Sequence, residues 1–266
     1  MLNILSLAPD TIQAWTATWM LPFVRITAVV GTAPIFGNRG VPVRVKAALS
    51  IALALAIVPS LPSQGDIDPA SVGGLLGIGR EVVIGVTIGF AMRLVFAVME
   101  LVGLYIANLM GLGFASLIDP QSGASVPVLG QFHIIVLTLV FLGMDGHLLV
   151  VSKLAESFRA LPVGAGAFEP AAMGEFARGA AWIFGAALQL ALPAILALLV
   201  VNLAFGVISR AAPQLHVVVI GFPLMLMFGF VMLWLGYGTV VGAMHGTVLH
   251  AAAGVDTVLD GLAGRP

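Results

Sequence analysis

Long apolar runs alternate with short polar stretches over most of the chain. The apolar runs lie at residues 12–36, 47–61, 72–112, 126–142, 180–208 and 217–241. Because these runs are continuous and lack the alternation of barrel strands, they predict helices. A helix needs about 20 residues to cross the hydrocarbon core, so the run at 47–61 is short for a span. The pattern predicts an all-α, polytopic membrane protein of long packed helices, with no sheet.

The pattern does not decide the number of helices in every region. Region 72–112 is one tilted helix, two antiparallel helices or a partly non-spanning pair. The runs at 180–208 and 217–241 are joined by a short segment containing Pro213, which predicts a helical hairpin packing as a separate unit. The weakly acidic tail, residues 254–266, is expected to be frayed.

Composition narrows the class further. The chain is 60% hydrophobic and 9% charged, with a mean hydropathy of +1.12, whereas soluble domains carry about 25% charged residues. It is therefore expected to be an integral membrane protein. The net charge of −1 gives no electrostatic case for nucleic acid. The absence of cysteine excludes disulfides and thiolate metal sites.

The distribution of charge predicts on which side of the membrane the first loops lie. The basic loop at 37–46 is expected in the cytoplasm and the loop carrying Asp66 and Asp68 outside it, which makes the N-terminus extracytoplasmic. No basic residue precedes Arg25, so we expect no cleaved signal peptide. Beyond residue 72, charge does not fix the side of each loop.

One face of region 72–112 carries charges and small residues. At 3.6 residues per turn, its members fall within an arc of about 120°: Glu81, Gly85, Gly89, Arg93, Phe96, Glu100, Gly103, Ala107 and Gly111. A charge facing lipid costs at least about 2.5–3.5 kcal/mol, so this face is expected to meet protein or water. Gly85 and Gly89 also permit close helix approach. Two interpretations stay open: salt bridges between helices, or a pore-lining or subunit-contact face of Glu81, Arg93 and Glu100.

A polar, turn-rich stretch at 108–131, which we call the central loop, interrupts the apolar runs. Its glycines tolerate left-handed backbone, and its two prolines, Pro120 and Pro127, stop a helix. Backbone of this kind survives at membrane depth only where protein buries it or water lines it. The alternative is an ordinary exposed loop between two spans.

Isolated polar residues and small-residue patterns predict helix contacts. Arg25, Gln189 and Asn202 are expected to make interhelix hydrogen bonds. Glycines at four-residue spacing in the last run predict a helix-packing seam: Gly238, Gly242 and Gly246. His147 is expected to hydrogen-bond a helix end. We find no metal, cofactor or nucleophile motif, so no enzyme activity and no cofactor are predicted.

Six stretches resemble the FliR family, the flagellar branch of the type III secretion export gate. They lie at residues 33–55, 88–103, 110–132, 141–149, 157–164 and 208–224. The central one reads MGLGFASLIDPQSGASVPVLGQF, and all six follow the family's order over most of the chain.

The resemblance implies a role within an assembly. Family members assemble with FliP and FliQ subunits into a funnel-shaped gate in the bacterial inner membrane, with FlhB and FlhA as further partners and unfolded flagellar subunits as substrates. By this likeness residues 1–179 are a FliP-like part that includes the central loop, and residues 180–266 are a FliQ-like hairpin and tail. The loop then plugs the resting pore, through Gly111, Leu112, Gly113, Phe114, Leu117, Ile118, Asp119, Pro120 and Gly123.

A different class of function stays open beside it. A proton- or ion-coupled small-molecule transporter would use Glu81, Arg93 and Glu100. Such transporters are expected to show an internal repeat, and none is found in the sequence. A gate subunit is expected to need its partners, whereas a transporter is expected to be well behaved alone.

Overall fold

The computed structural model describes residues 9–61, 71–112, 128–163, 169, 171–211 and 217–264. Within these ranges the chain forms α-helices, one 3-10 turn at Val58–Ser60 and no strand. The helices are α1 Pro9–Thr32, α2 Val43–Ile57, α3 Val72–Leu109, α4 Val128–Gly143, α5 Gly146–Ala160, α6 Ala171–Gly179, α7 Trp182–Ala211 and α8 Val217–Leu262. The all-α prediction is confirmed.

Several helical segments are long and apolar enough to cross a membrane. Four occur in the described part of the chain: Val43–Ser60, Val72–Leu109, Ala171–Ala211 and Gly221–Leu262. The bent pair α4–α5 makes a fifth if it counts as one broken span. The chain is therefore a multi-pass membrane protein by length and composition.

Helix α3 settles the question left open for region 72–112, because it is one continuous helix of 38 residues. It ends where the sequence supplies a glycine. Gly111 has φ 79°, and its N–H donates to Asn108 O. The N–H of Leu112 donates to Ala107 O at 3.0 Å. These two bonds form a Schellman motif, which satisfies carbonyls of the last turn and turns the chain away.

The bend between α4 and α5 has a local cause. The two helices meet at 68° across a break of a few residues. Asp145 lies in this break with φ 57°, in the left-handed region that Asp tolerates better than most side chains. Its carbonyl accepts the N–H groups of Leu148 and Leu149, so the first turn of α5 begins at once.

The expectation of a frayed tail is wrong. Helix α8 continues to Leu262, about 20 residues beyond the predicted end of the last apolar run. Val255, Leu259 and Leu262 are each at most 3% exposed. Their spacing is that of one helix face, and this face packs against protein. The tail has few apolar residues, but those it has recur at helical spacing, and the sequence analysis did not use this spacing.

The chain folds as two compact units built from separated segments. The first contains residues 1–93, 145–179 and 250–266, and the second contains 94–144 and 180–249. Helices α7 and most of α8 fall in the second unit together with residues 94–144, so the hairpin does not stand alone in the isolated chain. This grouping shows only which segments pack together. The division at 179/180 into FliP-like and FliQ-like parts therefore stays a prediction.

In the first unit, α1 and α3 run parallel in close contact. A Cβ atom on Gly85 would lie 2.5 Å from Arg25 O and 2.7 Å from Ala28 Cβ. One on Gly89 would collide with Thr32 Oγ1 and lie 2.8 Å from Ala33 N. Later residues of α3 contact later residues of α1, so the two helices run in the same direction. The two glycines permit this approach because they carry no side chain.

The end of α8 closes the first unit. Lys153 Nζ in α5 donates to both carboxylate oxygens of Asp256 in α8, at 2.7 and 2.8 Å. The N–H of Glu169 donates to Leu262 O at 3.1 Å. These contacts explain why the tail is ordered against α5 and the start of α6.

In the second unit, α3 and α4 are antiparallel. A Cβ on Gly103 would overlap the backbone of Gly130. Further along, the rings of Phe96 and Phe141 meet edge to face, with centroids 5.7 Å apart. Residue numbers therefore fall along α3 as they rise along α4, and the start of α4 lies beside the C-terminal part of α3.

Candidate functional site

The end of α3, at the start of the central loop, is packed against α8. Met110 is the last residue before the glycine turn, and it is 0% exposed. Its side chain lies over Gly229 of α8. A Cβ atom placed on Gly229 would collide with Met110 Cε and lie 2.5 Å from its Sδ and 2.6 Å from its Cγ. A side chain at position 229 would require the flexible end of Met110 to move.

A second contact joins the same helix end to α7. Asn202 Nδ2 donates to Leu109 O at 3.4 Å, a long hydrogen bond. The last carbonyls of a helix have no partner within it, so a side chain from a neighbouring helix can satisfy one. Asn202 therefore makes the kind of interhelix bond predicted for it.

The return end of the loop is fixed on α3 as well. Gly130, in the first turn of α4, lies so close to α3 that its Cβ would be 3.3 Å from Glu100 O. The side chain of Leu129 is 4% exposed. The close contact at Gly103 is eight residues before Gly111, about 12 Å along the helix axis. Both ends of the central loop are thus held on one helix.

Most of the predicted plug lies outside the described residues. The structure describes Gly111 and Leu112, which form the glycine turn, and both are half-buried. The other predicted plug residues are not described: Gly113, Phe114, Leu117, Ile118, Asp119, Pro120 and Gly123. Their role stays a prediction.

A fully buried ion pair lies in the first unit. Arg25 of α1 and Glu81 of α3 are 0% and 1% exposed, and Arg25 Nε donates to Glu81 Oε2 at 2.5 Å. The guanidinium also donates to Ser157 O at 2.9 Å and to Leu161 O at 2.8 Å. It lies 4.3 Å from the ring centroid of Phe158. One cation thereby connects α1 and α3 and satisfies carbonyls at the end of α5.

The other two charges of the predicted face are exposed in the isolated chain. Arg93 and Glu100 both have exposed side chains, in contrast to Glu81. Their angular positions explain this. On the 100° wheel counted from Glu81, Gly85, Gly89 and Gly103 lie at about 40–80°, in the middle of the arc, and these glycines take the helix contacts. Arg93 and Glu100 lie at about 120° and 100°, at its margin. Their predicted contact with other subunits stays untested.

The predicted glycine seam of α8 is bare. Gly238, Gly242 and Gly246 are exposed, and a Cβ on any of them would meet no atom of the described chain within 4 Å. Large apolar side chains around them are exposed too, including Trp234 at 78%. Only 11% of the most apolar window of α8 is buried, against 61% for α3. The seam is therefore available to another chain or to lipid.

A small cavity lies in the second unit below the packed end of α3. Its volume is about 210 Å³, and it is lined almost wholly by apolar atoms. Ile106, His133, Gln189, Pro193 and Tyr237 are among the residues around it. His133 is 1% exposed, and its Nδ1 lies 2.7 Å from Leu129 O. Gln189 therefore lines a cavity, and its predicted interhelix hydrogen bond stays a prediction.

The described residues contain no group of three or more His, Cys, Asp or Glu side chains that could hold a metal ion. His147, expected at a helix end, is in the first turn of α5. Its Nδ1 is buried and has no hydrogen-bond partner in the described part of the chain.

Comparison with known proteins identifies the family. Residues 16–251 match the family described as bacterial export proteins, family 1. The chain is 41% identical over 221 residues to the flagellar biosynthetic protein FliR of Pectobacterium carotovorum subsp. carotovorum, covering 83% of this chain and 84% of that protein. It is 39% identical over 216 residues to that of Escherichia coli strain K12, covering 81% and 82%. For that of Bacillus subtilis strain 168 the identity is 32% over 219 residues, covering 81% and 84%. The chain belongs to the FliR family.

As a FliR-family member with several membrane-crossing helices, the chain is a multi-pass membrane component of the flagellar export apparatus. The match spans the buried ion pair and both ends of the central loop. It stops short of Asp256, so the Lys153–Asp256 pair at the end of α8 has one member outside the matched region.

Sequence reasoning missed the partners of several residues it had singled out. It marked Arg25 and Glu81 separately but did not pair them. Met110 was not singled out, because a methionine in an apolar run carries no signal of its own. The Gly229 contact had a weak signal, since an isolated glycine inside an apolar helix marks close approach.

Proposed function

We propose that this FliR-family chain forms part of the channel of the flagellar protein export gate in the bacterial inner membrane. In this proposal the loop at residues 111–125 closes the resting channel. The observation that carries it is that α3 holds both ends of the loop, through Met110 and Gly111 at one end and Gly130 at the other. This anchoring supports the proposal because it brings the two ends of the loop to the same helix.

The composition of the loop supports the same role. Residues 111–125 contain no Lys or Arg, unlike the basic loop at 37–46. Phe114, Leu117 and Ile118 are apolar enough to pack against a hydrophobic ring and exclude water. We propose these three as the seal, with Asp119-Pro120 setting a turn and the neighbouring glycines letting the segment move aside.

The exposed surfaces support an assembly. We propose FliP and FliQ subunits as the direct partners, FlhB and FlhA as further ones, and unfolded flagellar subunits as substrates. The apolar hairpin α7–α8 and the exposed Arg93 and Glu100 are the surfaces that such partners would cover. No catalytic role and no cofactor are proposed.

The transporter alternative gains no support from the described residues. It would need Glu81, Arg93 and Glu100 to act together. Glu81 is buried against Arg25, whereas the other two side chains are exposed.

The test is ion leakage in cells that make the complete gate. Deleting residues 112–122 is expected to raise permeability to ions or small solutes while assembly stays intact. Changing Phe114, Leu117 and Ile118 together to Ser is expected to do the same, because the seal loses its apolar contact. Ser122→Ala and Ser125→Ala are the matched controls, since they change polar positions of the same loop. An assembled deletion variant that stays as tight as wild type would overturn the proposal.

A further inference from the structure

We propose that the start of α2 binds the anionic headgroup of a membrane phospholipid, whose acyl chain lies along the exposed face of the same helix. Two arginines and a lysine supply the positive charge: Arg39, Arg44 and Lys46. We call these three residues the basic cluster. The proposed role in export assigns no ligand to this surface, and the inference does not depend on that role.

The charge of the basic cluster is not balanced within the described chain. Residues 11–65 contain no Asp or Glu. The side chains of Arg39 and Arg44 are exposed, and neither makes an ion pair or hydrogen bond with a described residue. Arg44 and Lys46 also lie in the first turn of α2, which contains no acidic residue. The amino end of a helix carries partial positive charge, so cations there favour a nearby anion.

The loop before α2 is folded in a way that keeps its arginine near the start of the helix. Lys46 Nζ donates to Gly37 O at 3.1 Å, which closes the loop onto the first turn of α2. The N–H of Val41 donates to Asn38 O at 3.1 Å, so residues 38–41 form a hydrogen-bonded turn. Arg39 is the second residue of this turn. Its side chain is therefore presented close to the amino end of α2.

The exposed face of α2 continues from Arg44 as an apolar stripe. On the 100° wheel, Ile51 and Leu55 lie within about 20° of Arg44. Their side chains are 52% and 61% exposed. From Arg44 to Leu55 the helix rises about 16 Å, which is close to half of a hydrocarbon core about 30 Å thick. A cation at one end and an apolar stripe one leaflet deep match the two parts of a phospholipid.

A phospholipid is favoured over an acidic protein segment because one molecule covers both features. Its phosphate accepts charge-assisted hydrogen bonds from arginine, and its acyl chain covers Ile51 and Leu55. The loop is expected on the cytoplasmic side, where anionic lipids attract basic residues that lie next to a membrane-crossing helix. An acidic protein would neutralise the arginines and leave the apolar stripe to another partner.

The experiment uses the purified full-length chain and measures which lipids it retains. The chain in detergent is mixed with equal amounts of phosphatidylglycerol and phosphatidylcholine that carry the same acyl chains. Free lipid is removed, and bound lipid is quantified by mass spectrometry. We expect an excess of bound phosphatidylglycerol at about 50 mM NaCl and loss of most of that excess at about 500 mM, because salt screens exposed charges.

Charge removal from the basic cluster gives the decisive comparison. Combining Arg39→Gln with Arg44→Gln is expected to lower the ratio of bound phosphatidylglycerol to phosphatidylcholine by about 10- to 30-fold, since each basic residue near the surface contributes about a factor of five. Combining Arg39→Lys with Arg44→Lys is expected to keep most of the preference, because the charge remains. Arg159→Gln with Arg178→Gln is the matched control, since it removes two exposed charges on α5 and α6.

Equal retention of the two lipids by the wild-type chain, or the same preference in the Gln variant and its control, would overturn the proposal. Displacement of phosphatidylglycerol by soluble glycerol phosphate at the same concentration would also overturn it, because the site would then bind a phosphate ester without the acyl chain. If the Gln variant cannot be purified, a wild-type excess that persists unchanged at high salt rules out the arginines. A Gln variant that keeps its lipid but loses a subunit from the complete gate assigns the basic cluster to an acidic protein instead.

Discussion

At the scale of single residues, Arg25 shows how a charge is kept inside this protein. Removing an ion pair from water costs several kcal/mol per ion, and the attraction offsets this only where further hydrogen bonds are made. Arg25 meets that condition, because its Nε, Nη1 and Nη2 all donate to buried acceptors. Two acceptors are carbonyls at the end of α5, which attract a cation.

The ion pair gives a prediction on stability. Arg25→Leu and Glu81→Leu are each expected to lower the free energy of unfolding by about 3–5 kcal/mol, because each strands a buried charge. The double variant is expected to be less destabilised than either single one. The measurement is unfolding of the purified chain in detergent, with abundance in membranes as a second readout. Arg159→Leu, an exposed change on α5, is the control and is expected to stay within about 0.5 kcal/mol of wild type. Additive losses in the double variant would contradict the pairing.

At the scale of elements, the sequence predicts where the helices lie but does not predict which helices pack against each other. Apolar runs are a local property, so the helices follow from them, whereas the choice of one continuous helix over two in region 72–112 came only from the structure. The face of α3 also follows from periodicity. Which neighbour fills each part of that face is decided by residues far away in sequence. Neither the Arg25–Glu81 pair nor the Met110–Gly229 contact leaves a local pattern that identifies its partner.

The two glycine patterns illustrate the same limit. Gly85 and Gly89 have the spacing of a packing site, and α1 lies against them in this chain. Gly238, Gly242 and Gly246 have the same spacing, but no described residue lies against them. Sequence spacing indicates that a surface admits close approach, and it carries no information on whether the partner belongs to the same chain.

The α8 seam gives a prediction on assembly. Gly238→Leu, Gly242→Leu or Gly246→Leu is expected to reduce co-purification of the other gate subunits by about tenfold, because overpacking a close helix contact costs about 1–3 kcal/mol. The stability of the chain itself is expected to be unchanged, since no described residue lies within 4 Å of a Cβ at these positions. Gly185→Leu on α7, which also has empty surroundings, is the control. Equal recovery of partners with the seam variants and the control would remove the seam from the interface.

At the scale of the whole molecule, the most apolar helices differ widely in how much of their surface the chain itself buries. The most apolar window of α3 is 61% buried, whereas those of α2, α7 and α8 are 22%, 11% and 11% buried. Lipid can cover apolar side chains as well as protein can, so these values alone do not distinguish the two. Arg93 does distinguish them, because a lipid-facing arginine near the bilayer centre costs about 2.5–3.5 kcal/mol or more. We therefore expect the exposed Arg93 to meet a partner chain or pore water in the assembled protein.

This argument gives the last prediction. In the assembled gate, Arg93→Cys is expected to resist a lipid-soluble thiol reagent, because position 93 is covered by a neighbouring subunit or faces water. In the chain purified alone, the same cysteine is expected to react, since no partner covers it. Arg93→Leu and Glu100→Gln are expected to reduce assembly and export, measured by co-purification and by secreted flagellar subunits. Arg178→Leu, an exposed change on α6, is the control. Labelling of position 93 from lipid in the assembled gate, together with normal export by Arg93→Leu, would show that this face meets neither protein nor water.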